Sequence, residues 1–171
     1  DMNMDGFADN PLGGQLNGML RARYVGQNGW EGLFTLHALK DVREGGQLGP
    51  TAPSVPWTSS VAQQRLAFTS KTGWVNPDDP DMSVGIILHG YRQGIDARLG
   101  PVPLGSRQFL HGLQQGGLAQ LLVRDGGSWW SQTSGLSWSL DRYVMDWHHP
   151  GIAHDDSWVE SAPGAFSEWT L

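Results

Sequence analysis

Between residues 16 and 38 the chain alternates apolar and polar positions in two arms joined by a short turn. Leu16, Gly18, Leu20, Ala22 and Tyr24 fall on one side, with Asn17, Arg21 and Arg23 on the other. After Gly26-Gln27-Asn28-Gly29, the residues Trp30, Gly32, Phe34, Leu36 and Ala38 continue the apolar side opposite Glu31, Thr35 and His37. Successive side chains of a strand point to opposite faces, so a period of two predicts a β-hairpin with one apolar face. Arms of about ten residues are long for a soluble strand and match a tilted strand that crosses a bilayer. Tyr24 and Trp30 flank the turn, where a membrane strand carries interfacial aromatics. A soluble sandwich hairpin has the same alternation, so this segment alone leaves both readings open.

Five further segments repeat the pattern. LAFTSKTGWV sets Leu66, Phe68, Thr72 and Trp74 against Thr69 and Lys71. SVGIILHGYR sets Val84, Ile86 and Leu88 against Gly85, His89 and Tyr91. GLAQLLVRDG offers Ala119, Leu121 and Val123 against Gln120 and Arg124, although Leu118 and Leu122 blur the faces. WWSQTSGLSWSLDRY places Leu136, Trp138 and Leu140 opposite Ser137, Ser139 and Asp141, and GAFSEWTL places Ala165, Trp169 and Leu171 opposite Glu168 and Thr170. The connections alternate in length. Short ones fall at 26–29, 76–81 and 125–128, and long ones are expected at about 42–61, 94–107 and 147–161. In a sequential antiparallel sheet this puts the short turns at one end and the long loops at the other, the asymmetry of outer-membrane barrels. Tyr24, Trp30, Trp74, Trp129 and Trp130 all adjoin short turns, while Trp147 and Trp158 lie toward the opposite rim. The expected architecture is therefore all-β, an antiparallel meander of about seven strands forming part of a transmembrane β-barrel.

Composition sharpens this picture in a few places. The chain has 171 residues, with hydrophobics at 39%, 24 glycines and 9 tryptophans, which is poor in aliphatics for a two-layer core. A barrel wall one residue thick needs fewer apolar positions than a packed domain. No apolar run is long enough for a membrane-spanning helix. The absence of cysteine excludes disulfides and thiolate metal sites, and a net charge of −6 argues against a nucleic-acid partner. Seven is odd, whereas bacterial barrels close with an even number, and lipid does not tolerate unpaired strand edges. The expectation is a piece of a longer chain, continued on both sides by further strands.

The segments also resemble a known family. DGFADNPLGGQLN, followed by RARY, GWEG and REGGQ, resembles the barrel of TonB-dependent outer-membrane receptors, especially those of Bacteroidetes-like bacteria. RLAFTSKTGWV is similar to a family strand ending in Lys-Thr-Gly-aromatic, here Lys71-Thr72-Gly73-Trp74. SGLSWSLDRY resembles an ascending strand, and APGAFSEWTL is similar to the family's Pro-Gly-Ala-Phe-x-Glu-aromatic-Thr segment, here Pro163 to Thr170. The resemblance covers nearly the whole chain in order. It implies a plugged barrel of roughly 22 strands in the bacterial outer membrane. Such a receptor imports a scarce small-molecule ligand, such as a ferric siderophore or another large nutrient, and is energised by the inner-membrane TonB complex. It also implies that residues 1–171 are a partial barrel lacking the plug domain, the N-terminal TonB box and the C-terminal strand. The partners would then be membrane lipid and those missing segments.

Candidate chemistry is sparse. Asp1, Asn3, Asp5 and Asp9 around Gly6 reproduce the front of a calcium loop, with Leu12 where a bidentate acid is expected. Calcium is the one cofactor this suggests, and the alternative is an Asx-rich loop tip that hydrogen-bonds its own backbone. His148, His149 and His154 with Asp146, Asp155 and Asp156 cluster in the last expected loop, where a solvated loop competes with a transition-metal site. His37, His89 and His111 are expected on strands facing the lumen, as are Arg21, Arg23, Lys71 and Arg124. No catalytic register is present, so no catalytic residues and no enzyme activity are expected. The competing function is a calcium-stabilised soluble β-sandwich that binds carbohydrate on its tryptophans.

Overall fold

The computed structural model describes residues 6–8, 10–47, 56–101 and 107–171. They form seven strands, β1 (Leu12–Val25), β2 (Trp30–Gly46), β3 (Trp57–Val75), β4 (Ser83–Pro101), β5 (Gln108–Gly127), β6 (Trp130–His149) and β7 (Ile152–Thr170). All pair antiparallel with their sequence neighbours in one sheet of order β1-β2-β3-β4-β5-β6-β7. The described residues contain no helix. The all-β meander expected from the alternation is thus what the chain builds, with seven strands.

The strands are longer than the alternation suggested, and this shortens all three of the expected long loops. β4 continues to Pro101, so residues 94–101 are strand. β6 and β7 continue to His149 and from Ile152, so residues 147–161 form a hairpin closed by Pro150 and Gly151. Gly151 supplies a φ of 85° at that turn, a backbone region that costs glycine little. The third expected loop, 42–61, is strand up to Gly46 and from Trp57. These outer halves carry mixed side chains on both faces, so no apolar period marks them, yet backbone pairing proceeds regardless of side chain. At the other end, residues 26–29, 76–82 and 128–129 make tight connections. In one of them Asp78 N–H donates to Asn76 Oδ1 at 3.1 Å and Asn76 N–H to the Met82 carbonyl at 3.0 Å, an Asx turn.

A core in the ordinary sense is missing. Ala67 and Ala97 are the buried hydrophobic residues among those described, and no large side chain is fully buried. The chain exposes 11839 Å², against about 8,300 Å² for a compact monomer of its mass. Each strand contacts its sheet neighbours, and among the described residues no second layer covers either face. The sheet's stability as an isolated body would rest on backbone pairing, with its apolar side chains left in solvent.

Candidate functional site

Directly opposed residues of antiparallel strands share a face, so the register assigns every side chain to one of two sides. Leu20, Leu36 and Phe68 stand in one row. Phe34 lies two residues along β2, and Ile86, Leu121 and Leu136 are joined by direct pairing. Val84 and Trp138 belong to the same side. Arg21, Thr35, Thr69 and His89 form a row on the opposite side, with Arg23 and Lys71 in the next. Arg124 joins them through its pairing with Ser83. The residues expected toward lipid therefore share one face, and the expected lumen residues, with the exception of His111, share the other.

The apolar face is uncharged across a continuous belt. It runs from the row Trp30, Trp74, Val84 and Val123 to the row Leu20, Leu36, Phe68, Gly90, Gly117 and Leu140. On this face residues 30–38 of β2 and 130–140 of β6 are free of charge, the span of about 9–11 residues that a tilted strand needs to cross a bilayer. Large side chains on it stay open, with Leu20 61%, Leu136 60% and Trp138 56% exposed. At the short-turn end Tyr24, Trp30, Trp74, Trp130 and Trp169 all lie on this face. Trp74 Nε1 donates to the Asn28 carbonyl at 3.1 Å, and the Trp130 and Trp169 rings stack with centroids 6.1 Å apart. At the opposite end Trp57, Trp147 and Trp158 lie on the polar face, so the aromatic girdle is one-sided.

The polar face is knit by side-chain hydrogen bonds across strands. Tyr91 Oη donates to Asp141 Oδ2 at 2.6 Å, bridging β4 to β6 over Gly116 of β5. Gln114 Nε2 donates to Tyr91 Oη at 3.0 Å and to Asp141 Oδ2 at 3.1 Å, and the Arg65 guanidinium lies 5.6 Å from the Tyr91 ring centre. His89 Nδ1 pairs with Thr69 Oγ1 at 3.0 Å and His37 Nε2 with Asn17 Oδ1 at 2.7 Å. Nearer the short turns, Arg21, Arg23 and Lys71 border a groove of about 380 Å³. Arg23 meets Glu31 at 3.9 Å. Nothing in the local sequence marks the Tyr91–Asp141 pair, because the partners are brought together only by register across β5.

Other expectations resolve differently. Asp1, Asn3, Asp5 and Asp9 lie outside the described residues. Beside them, Gly6 has a φ of 82°, Phe7 bridges Gln47, and its ring meets Trp57 edge-on at 6.3 Å. His111 is corrected from the lumen side to the apolar face, where its Nδ1 lies 2.6 Å from Asp96 Oδ1. The expected loop cluster is on strands and divides between faces. Asp146, His148 and Asp155 share the side of Leu136, whereas His149, His154 and Asp156 point the other way. Among the described residues no three His, Asp or Glu side chains gather to hold a metal ion. Adjacent strand residues diverge by construction, which separates a cluster that looks compact in sequence.

No known protein family and no curated protein matches this chain. The functional reading rests on the two faces.

Proposed function

We propose that this chain is a section of the barrel wall of a TonB-dependent receptor in the bacterial outer membrane. In this reading the apolar face meets lipid and the polar face lines the lumen. Further strands complete the sheet beyond β1 and β7, and the whole receptor imports a scarce ligand such as a ferric siderophore. One observation carries the membrane part, the uncharged belt bounded at the short-turn end by five aromatics on the same face. An apolar surface of this extent is unstable in water and stable against lipid. The single layer supports a barrel wall over a sandwich, which needs a second sheet. The transport part rests on the family resemblance of the segments.

These 171 residues contain no cysteine, so cysteines introduced among them make the membrane part directly testable once any elsewhere in the protein are replaced. Single cysteines at Leu36 and Leu136, and at Thr35 and Ser137 on the other face, are labelled with an environment-sensitive fluorophore in the intact protein in vesicles. Brominated acyl chains should quench the first pair strongly and the second weakly. Equal quenching of both pairs would remove the membrane reading. Uptake of a ferric siderophore that stops when the inner-membrane energy supply is collapsed would support transport, and uptake unaffected by it would count against a TonB-driven receptor.

A further inference from the structure

The belt ends abruptly at two cations with a groove between them. On the apolar face, Arg92 of β4 stands in the row directly beyond Leu36, Phe68 and Gly90, and Lys40 of β2 stands one row further. Among the described residues neither side chain makes a hydrogen bond or an ion pair with protein, whereas Asp96, the nearby carboxylate, is engaged by His111 at 2.6 Å. Between the cations runs an open groove of about 670 Å³ spanning β1 to β5. Gly18, Ala38 and Gly94 keep its floor low beside the taller Leu66 and Leu113. Adjacent strands lie about 4.8 Å apart and each row advances about 6.8 Å. That puts the Lys40 and Arg92 backbones roughly 12 Å apart, with long flexible stems that can lie along apolar surface while the heads reach one polar group.

A mostly apolar trough that leads to two cations without ion-pair partners, with Asp96 in its wall held by His111, matches an amphiphile with a phosphate headgroup. We propose that this groove binds an anionic phospholipid of the surrounding membrane, its phosphate held by Lys40 and Arg92 and an acyl chain laid against Leu66 and Leu113. The proposal rests on the membrane reading. Arg142, two strands beyond Arg92 in the same row, extends the cationic line along the belt margin.

The test uses the intact protein in nanodiscs of phosphatidylglycerol and phosphatidylcholine, with bound lipid counted by native mass spectrometry after mild detergent release. Wild type should retain phosphatidylglycerol in preference. Removing a cation at such a surface should weaken the preference about fivefold per residue, from roughly 1 kcal/mol each. The pair Lys40→Gln with Arg92→Gln should therefore lose most of it. The pair Lys40→Arg with Arg92→Lys should keep it, and so should Arg124→Gln on the polar face. Excess inorganic phosphate should not displace the lipid. Equal retention of the two lipids, an unchanged preference in the double Gln variant, or displacement by phosphate would each overturn the proposal. A lipid belt without headgroup preference would leave the membrane reading intact. Protein carrying no lipid at all would end both.

Discussion

Leu136→Arg should destabilise the protein in a bilayer by about 2–4 kcal/mol, while Ser137→Arg, one residue along, should change stability by less than about 1 kcal/mol. Leu136 stands in the belt between Leu121 and Ala165, two residues from Trp138 on its own strand. A guanidinium there cannot reach the short-turn end without passing the aromatic girdle, so it must be desolvated or drag water into the hydrocarbon. Ser137 points to the other face between Gln120 and Gly164, where an arginine finds polar neighbours and open space. Urea unfolding of the vesicle-inserted protein measures both. In lipid-free solution the asymmetry should vanish, because Leu136 is already 60% exposed and an arginine at a solvent-facing strand position costs little. Equal costs for the two variants in vesicles, or the same asymmetry without lipid, would contradict the assignment of faces.

This asymmetry is legible in the sequence, and the reason is local. Leu20, Phe34, Phe68 and Leu88 alternate with Arg21, Thr35, Thr69 and His89, so each of β1 to β4 declares its own apolar side, whereas Leu118 and Leu122 blur that of β5. The pattern then excludes any slip of one residue, which would carry Lys71 onto the side of Phe34 and Ile86. The outer halves carry no such instruction. Residues 57–65 read Trp-Thr-Ser-Ser-Val-Ala-Gln-Gln-Arg, and residues 144–158 put Asp and His on both sides. Their strand character comes from continuing a ladder already in register. His111 lies on the face opposite to the expected one for a related reason. It lies in a run of Gly, Leu and Gln without a clear period, and only its pairing with Asp96 fixes its side.

The largest single effect expected on the polar face comes from the smallest residue there. Gly116 pairs with Tyr91 on one side and Asp141 on the other, and the tyrosine ring passes over it to reach the carboxylate. A Cβ at this position would sit 2.8 Å from the Leu140 carbonyl oxygen, 3.0 Å from Tyr91 Cε1 and 3.1 Å from its hydroxyl. The ring can swing away, but the carbonyl belongs to the sheet, so backbone must shift as well. Gly116→Ala should therefore cost about 1–3 kcal/mol, the usual range for overpacking. This should outweigh the strand-forming advantage that alanine has over glycine. Gly14→Ala supplies the contrast, since nothing lies within 4 Å of a Cβ there, and relief of chain entropy alone should leave it neutral or more stable by roughly 0.4–1 kcal/mol. Tyr91→Phe removes the donor to Asp141 while keeping the ring. Combined with Gly116→Ala it should cost less than the sum of the two single changes, because the alanine has already displaced the hydroxyl. Unfolding midpoints for the four proteins decide the matter. Strict additivity, or a Gly116→Ala protein as stable as the parent, would mean that the glycine is not what lets β4 reach across β5 to β6.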